Sequence, residues 1–316
     1  MTKKDYFWPV IGLVAVAFSV HLLIDQLRDI SYEDVLDSLN AISMHGWLMS
    51  ALATVAAYVA LAGYDRLALS HLRKKVSWRF ISVASFVAYA IGHNLGASVF
   101  SGAVVRYRAY RSQGLTPAEV GILVAFCSFT FVLGTILLGG MALLIEPTLP
   151  SHFHKDLPQW LAQALGAAMM FVVVLYLYGS LMKRRSIALW KIRLEYPRFS
   201  LICRQLIVAP LELLAAAAII YYALPEQSNP GYFMVLGIFL ASFSAALLSH
   251  APGGLGVLEV MFLLALPEVN PADVIAALLV FRLFYLIIPF AISLIFVVWF
   301  EQDQLLKKFK GTKTES

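Results

Sequence analysis

Phe80-Ile-Ser-Val-Ala-Ser-Phe-Val-Ala-Tyr-Ala-Ile-Gly-His-Asn-Leu-Gly-Ala-Ser-Val-Phe-Ser-Gly-Ala-Val-Val-Arg-Tyr-Arg-Ala-Tyr-Arg111 is the stretch on which the fold turns. It is apolar enough to enter a bilayer, but it is broken at Gly92-His-Asn-Leu-Gly-Ala-Ser98. Each arm then holds about 12 residues, roughly 18 Å of helix, too short for a hydrocarbon core of about 30 Å. The stretch reads as a re-entrant hairpin that dips in, turns at the glycine-rich break and leaves on the side it entered. A second interrupted stretch, residues 232–266, breaks at Ser249-His-Ala-Pro-Gly-Gly-Leu-Gly256 and reads the same way.

Around these hairpins lie six continuous apolar runs, at residues 7–24, 46–63, 118–144, 161–181, 201–224 and 273–300. Hydrophobic residues make up 60% of the chain and charged residues only 14%. Too little charge is present to cover a soluble domain of this size, so the apolar residues are organised as membrane spans. The longest polar stretch, 183–201, is too short to be a domain of its own. The run at 7–24 follows Lys3 and Lys4 like a signal peptide but lacks a small-x-small cleavage site before Asp25, and it reads as an uncleaved first span. Between the first two spans, Ser31-Tyr-Glu-Asp34 opens a short amphipathic helix with Ser31 as N-cap. Cys127 and Cys203 belong to no motif and read as packing residues.

Charge sets the orientation. With the N-terminus inside and both hairpins returning to their side of entry, all 24 Lys and Arg except Arg28, Lys155 and Arg282 face the cytoplasm, as the positive-inside rule demands. If the first hairpin crossed, the basic residues after 181 would face outward. The net charge of +5 is thus a membrane-surface feature, and nucleic acid is not expected as a partner. The chain is expected to be all-α: one polytopic transmembrane domain, 1–316, with about six full spans and two re-entrant helical hairpins, both termini inside. Residues 44–144 and 201–300 then form two units, each a helix, a hairpin and a helix, with the second inverted relative to the first. Inverted repeats of this kind build the sites of secondary transporters.

Ionisable residues within spans need a reason, because each costs a few kcal/mol or more. Arg282 lies deep in the last span, Glu259 follows the second break and Glu212 sits in Ala-Pro-Leu-Glu-Leu-Leu. Arg282 is expected to pair with Glu259, Glu212 or both, either lining a polar cavity or simply holding the bundle together. Arg106 and Arg108 end the first hairpin, and a guanidinium fork suits a lipid phosphate; an ordinary positive-inside cluster would also place arginines there. His93 and His250 mark the two breaks, as proton-responsive groups, phosphate donors or partners of open backbone. Asn94 suits the same backbone role. Asp65 could hold a cationic head group or pair with a neighbouring Arg. His152 and His154, with no further ligands, make no metal site, and no metal or cofactor is expected. There is no phosphate-binding Gly-Lys-Ser/Thr loop, no nucleophile elbow and no His-Glu-x-x-His, so the expectation is a protein that is not an enzyme.

Gly63-Tyr-Asp65, Tyr89-Ala-Ile-Gly-His-Asn-Leu-Gly96, Ser101-Gly-Ala-Val-Val-Arg-Tyr-Arg108, Pro252-Gly-Gly-Leu-Gly-Val-Leu-Glu259 and Arg282-Leu-Phe-Tyr285 together resemble the lysylphosphatidylglycerol synthase transmembrane (flippase) family, over nearly the whole chain. The resemblance implies a bacterial inner-membrane protein that moves a phospholipid, often aminoacylated, between leaflets. It also implies that Asp65, Arg106, Arg108, Glu212, Glu259 and Arg282 stand where the family carries charge. The aminoacyl-transferase domain of the two-part relatives is absent, which leaves the lipid open. Expected partners are membrane lipids, anionic or aminoacylated, with a second copy of the chain or a lipid-synthesising enzyme in trans as further candidates. A secondary transporter of a small polar solute and a non-transporting scaffold for a lipid-modifying enzyme are the alternatives.

Overall fold

The computed structural model describes residues 31–95, 98–153, 157–182, 186–189, 192–195, 197–249 and 252–299. The expected first span, both chain termini, His154 and His250 lie outside the described residues. In chain order the helices are α1 (Tyr32–Ala41), α2 (Met44–His71), α3 (Trp78–Leu95), α4 (Ser98–Arg111), α5 (Pro117–Ile145), α6 (Leu149–Phe153) and α7 (Gln159–Leu181). After them come α8 (Phe199–Ala223), α9 (Tyr232–Ser249), α10 (Val257–Ala265) and α11 (Pro271–Trp299). Between α7 and α8, β1 (Ser186–Leu189) and β2 (Ile192–Glu195) pair antiparallel with Leu189 opposite Ile192, a small addition to an otherwise helical chain.

Local chemistry sets the helix starts. Ser31 caps α1 in a reciprocal box: its hydroxyl accepts from the Asp34 amide and its own amide donates to the Asp34 carboxylate. These bonds hold the Asp34 carboxyl below its ordinary range. Ser43 caps α2 through the Gly46 amide. Thr116 caps α5 with Glu119 completing the box and Pro117 in the first turn. Asn270 caps α11, followed by Pro271. Each cap occupies an amide that a helix end leaves without a partner.

Among the described residues, six helices are long and apolar enough to cross a membrane: α2, α5, α7, α8, α9 and α11. Five of them contain runs read from the sequence. The sixth, α9, is 18 residues long and was expected as one arm of a hairpin. The first interrupted stretch also differs in proportion. Its arms are helices of 18 and 14 residues instead of about 12: α3 begins two residues ahead of the apolar run, at Trp78, and continues to Leu95, through residues that read as part of the break. The chain does fold back on itself there: a side chain at Gly102 would meet the Ala88 carbonyl, and Arg106 lies over Tyr89.

The centre of the bundle is an antiparallel pair, α2 with α8. Ser50 donates to the Ile219 carbonyl at 3.0 Å and Tyr64 to the Ala209 carbonyl at 2.8 Å, so rising numbers on one helix meet falling numbers on the other. The interface is built from small residues, with Ala57, Ala216 and Ala217 fully buried. In a bilayer, close backbone approach between such residues supplies the packing that the hydrophobic effect supplies in water. α5, α9 and α11 pack around this axis, and α7 lies outside against α5, with Gly140 facing the Gly166 carbonyl.

Gly134 marks the tightest crossing of α5 over α8: a Cβ there would lie 2.8 Å from the Ala209 carbonyl oxygen and 2.9 Å from its carbon. Backbone cannot yield as a side chain can. Gly134→Ala is expected to lower stability by about 1–3 kcal/mol, read as thermal unfolding in detergent. Gly121→Ala, on the same helix with open space at its Cβ, is the control and should leave unfolding unchanged or slightly later.

Candidate functional site

The polar residues singled out in the sequence gather into three clusters inside the bundle. In the first, Asp65 lies fully buried near the C-terminal end of α2. Arg106 of α4 reaches it with Nε, 3.2 Å from both carboxylate oxygens, and with Nη2 at 2.9 Å. Tyr110, one helical turn further along the same face of α4, donates its hydroxyl at 2.8 Å. The Cys127 thiol of α5 donates at 3.4 Å. The guanidinium sits 4.3 Å from the centroid of the Tyr89 ring. Burying either charge alone would be costly; together, with the remaining bonds supplied, they are neutral. Arg108 lies on the exposed face of α4 and takes no part in this cluster.

The second cluster closes the break between α9 and α10. Pro252–Gly254 forms a single tight turn, and Gly253, Gly254 and Gly256 all have positive φ, at 58°, 65° and 79°. That conformation is cheap only for glycine. It leaves carbonyls and an amide without helical partners. Arg282 of α11 donates to the Gly253 carbonyl at 2.9 Å and to the Gly254 carbonyl at 3.4 Å. Glu259 accepts the Gly256 amide at 2.9 Å and pairs with Arg282 at 2.6 Å through Nε. Of the two acids available by sequence, Arg282 takes Glu259, because Glu259 stands three residues past the turn that Arg282 must hold.

The third cluster surrounds Glu212. From Arg282 to Ile287, α11 widens into a π-helical turn, a feature that often accompanies functional sites. Its displaced carbonyls find partners on other helices: Tyr58 of α2 donates to Tyr285 at 3.0 Å, and Asn94 of α3 to Leu286 at 3.1 Å. The Tyr285 hydroxyl in turn donates to Glu212 Oε1 at 2.5 Å. Glu212 is 2% exposed. Its Oε2 has no hydrogen-bond partner among the described residues, nor has Nδ1 of His93. The His93 ring stacks on Tyr285, centroids 5.3 Å apart.

Arg106, His93 and Glu212 all line one cavity of about 490 Å³. Its inner wall also carries Tyr64, Tyr89 and Cys127, while α5 and α9 flank its mouth. There Val132 is 48% and Leu248 76% exposed. Val132 lies near the middle of α5, so the mouth opens on the side of the bundle, part-way along a membrane-capable helix. The Arg282–Glu259 pair stands apart from this cavity. Of the histidines, His152 is spent on the Ala265 carbonyl at 2.8 Å. Both cysteines are free, and Cys127, read from sequence as packing alone, bonds to Asp65. Tyr58 and Tyr285 went unnoticed as site residues. Tyr285 stands one turn after Arg282, a usable signal, but the π turn that employs it leaves no mark in the sequence.

The model of the lysylphosphatidylglycerol synthase transmembrane region matches residues 10–293. An uncharacterised protein of Synechocystis sp. is 30% identical over 88% of this chain and 87% of its own length. The inner membrane protein YbhN of Escherichia coli is 30% identical over 93% of this chain and 91% of its own. The phosphatidylglycerol lysyltransferase of Staphylococcus aureus (strain MSSA476) is 22% identical over 94% of this chain but only 34% of that enzyme. With six membrane-capable helices and an inner-membrane relative across its length, the chain is a multi-pass protein of the bacterial inner membrane.

The neutral-pair account of Asp65 and Arg106 makes a stability prediction. Asp65→Leu alone strands a buried guanidinium and should cost about 3–5 kcal/mol, whereas Asp65→Leu with Arg106→Met should regain most of that loss. Thermal unfolding of the purified variants in detergent reads both. A double variant as unstable as the single one contradicts the account.

Proposed function

The chain belongs to the lysylphosphatidylglycerol synthase transmembrane region family, and from that premise we propose that it is a lipid flippase or scramblase, moving the polar end of a phospholipid, aminoacylated or not, between leaflets. The observation that carries this reading is the laterally open cavity. Its wall is polar at Arg106, His93 and Glu212, and its mouth is apolar at Val132 and Leu248. A head group crossing hydrocarbon alone must shed its water, and the cost is several kcal/mol or more for each charge. A groove lined by side-chain donors and acceptors replaces that water while the acyl chains stay outside in lipid.

Arg108, exposed in the last turn of α4, is proposed to draw anionic head groups toward the groove. The two interrupted stretches are proposed to enter from opposite faces as parts of inverted units 44–144 and 201–300. The antiparallel course of α2 and α8, the first helices of those units, supports that arrangement. The chain matches about a third of the length of the lysyltransferases it resembles (34% for the Staphylococcus aureus protein), and a non-catalytic role beside a separate lipid-making enzyme is part of the proposal.

The test is leaflet exchange in proteoliposomes, using tail-labelled phosphatidylglycerol and phosphatidylethanolamine with chemical quenching of the outer leaflet. Exchange faster than in protein-free vesicles is expected. Val132→Trp, which fills the mouth from an exposed position, should slow it at least several-fold without loss of folding. Rates equal to empty vesicles for every lipid class defeat the proposal, and solute-protectable uptake without lipid exchange would favour a small-solute transporter.

A further inference from the structure

We infer that Glu212 is a proton-exchanging group of the cavity: its carboxyl gives up a proton when a cationic group of the ligand arrives, and regains one when that group leaves. The inference rests on the cavity being the ligand's path, and it adds the ion to which movement is linked.

Charge accounting leads to it. Three acids and two arginines occupy the interior clusters described above. Asp65 is matched by Arg106 and Glu259 by Arg282, which leaves Glu212 as the acid of these clusters with no cation among the described residues. The groups that face it from the packed helices supply none. From α2 come the hydroxyls of Tyr58 and Tyr64, which donate to the Tyr285 and Ala209 carbonyls. From α11 comes the Tyr285 hydroxyl, donating to Oε1. α5 contributes Cys127 and α3 contributes Tyr89 and His93. α4 contributes only Arg106, already neutralised. The part of α9 that lines the cavity, Phe243, Ser244, Leu247 and Leu248, carries no ionisable side chain. α7 meets α8 at a distance from Glu212, through Tyr176 and Gln205.

A lone charge in such surroundings is relieved by a proton or by a counter-charge. Glu212 Oε2 is the atom at which either can act, since it is buried and has no hydrogen-bond partner among the described residues, on a residue that lines the cavity. The exchange balances simply. The neutral acid releases its proton to solvent in the cavity, and the carboxylate then pairs with the cationic group of the ligand, accepting its N–H. When the ligand departs, a proton from solvent restores the acid. One proton therefore moves opposite to each cationic group.

Dicyclohexylcarbodiimide provides the test, because it modifies protonated carboxyls in apolar sites. The full-length protein is placed in phosphatidylglycerol nanodiscs and treated from mildly acidic to mildly alkaline pH, with modification of the Glu212 peptide read by mass spectrometry. Modification should fall with rising pH, by up to about tenfold per pH unit above its midpoint, and replacing part of the lipid with phosphatidylethanolamine should suppress it. Glu259, held by Arg282, serves as the internal comparison and should stay unmodified. In proteoliposomes, an imposed pH gradient should bias exchange of tail-labelled phosphatidylethanolamine in the native protein but not in Glu212→Gln. Modification that is absent, or that ignores either pH or the amine lipid, overturns the inference. Intact pH- and lipid-dependent modification without any leaflet exchange would instead overturn the proposed lipid movement and leave the proton exchange standing.

Discussion

The carboxylate of Asp65 joins α2, α4 and α5 at one buried polar centre. It takes the guanidinium of Arg106 and the hydroxyl of Tyr110 from α4 and the thiol of Cys127 from α5. Because it is fully buried on α2, those donors are the replacement for water, and the helices that carry them are held against α2. The hairpin of α3 and α4 is thereby docked with Tyr89, His93 and Arg106 facing inward. The polar wall of the cavity follows from that docking.

The second break solves the same problem in another way. Three glycines at positive φ turn the chain between α9 and α10, and the backbone groups they expose are met by Arg282 and Glu259. A broken helix within a membrane-capable bundle is tolerated only where other protein groups satisfy it. This ion pair is accordingly a structural clamp. It begins the same π-helical turn that carries Tyr285, so the clamp on the glycine turn and the hydroxyl on Glu212 lie on one continuous piece of backbone. Tyr58 and Asn94 hold that piece from α2 and α3, which links the two interrupted stretches through the π turn.

The contrast among the buried acids gives the site its character. Two are cancelled by arginines and brace the fold. Glu212, which lines the cavity and accepts the Tyr285 hydroxyl, is matched by no cation among the described residues. Under the proposed function, a cavity whose Arg106 is already neutralised by Asp65 would discriminate by what Glu212 offers a cationic group, and attached acyl chains would stay in the surrounding lipid. This division also explains why Arg106 and Arg282, the residues that stand out most in the sequence, are held by partners within the protein, while Glu212, less conspicuous there, stands at the cavity wall.

Much of this was legible in the sequence because the bilayer imposes simple rules of length, charge and backbone satisfaction. Those rules located the five continuous spans that fall among the described residues and the ionisable residues inside the bundle, and Ser31 was recognisable as a cap from four residues. The extent of α3 was not, since its helix runs on to Leu95 through residues that read as a break, and nothing in the sequence marks α9 as long enough to cross by itself. Nor was the choice of partners: Asp65 and Arg106 are 41 residues apart, Glu212 and Tyr285 are 73 apart, and no local pattern connects them. Composition decided that the chain belongs in a membrane and which residues must be accounted for there. Only the packing of distant helices decided which charges cancel and which one remains, because a buried charge is settled by the groups within a few ångströms of it, wherever those lie along the chain.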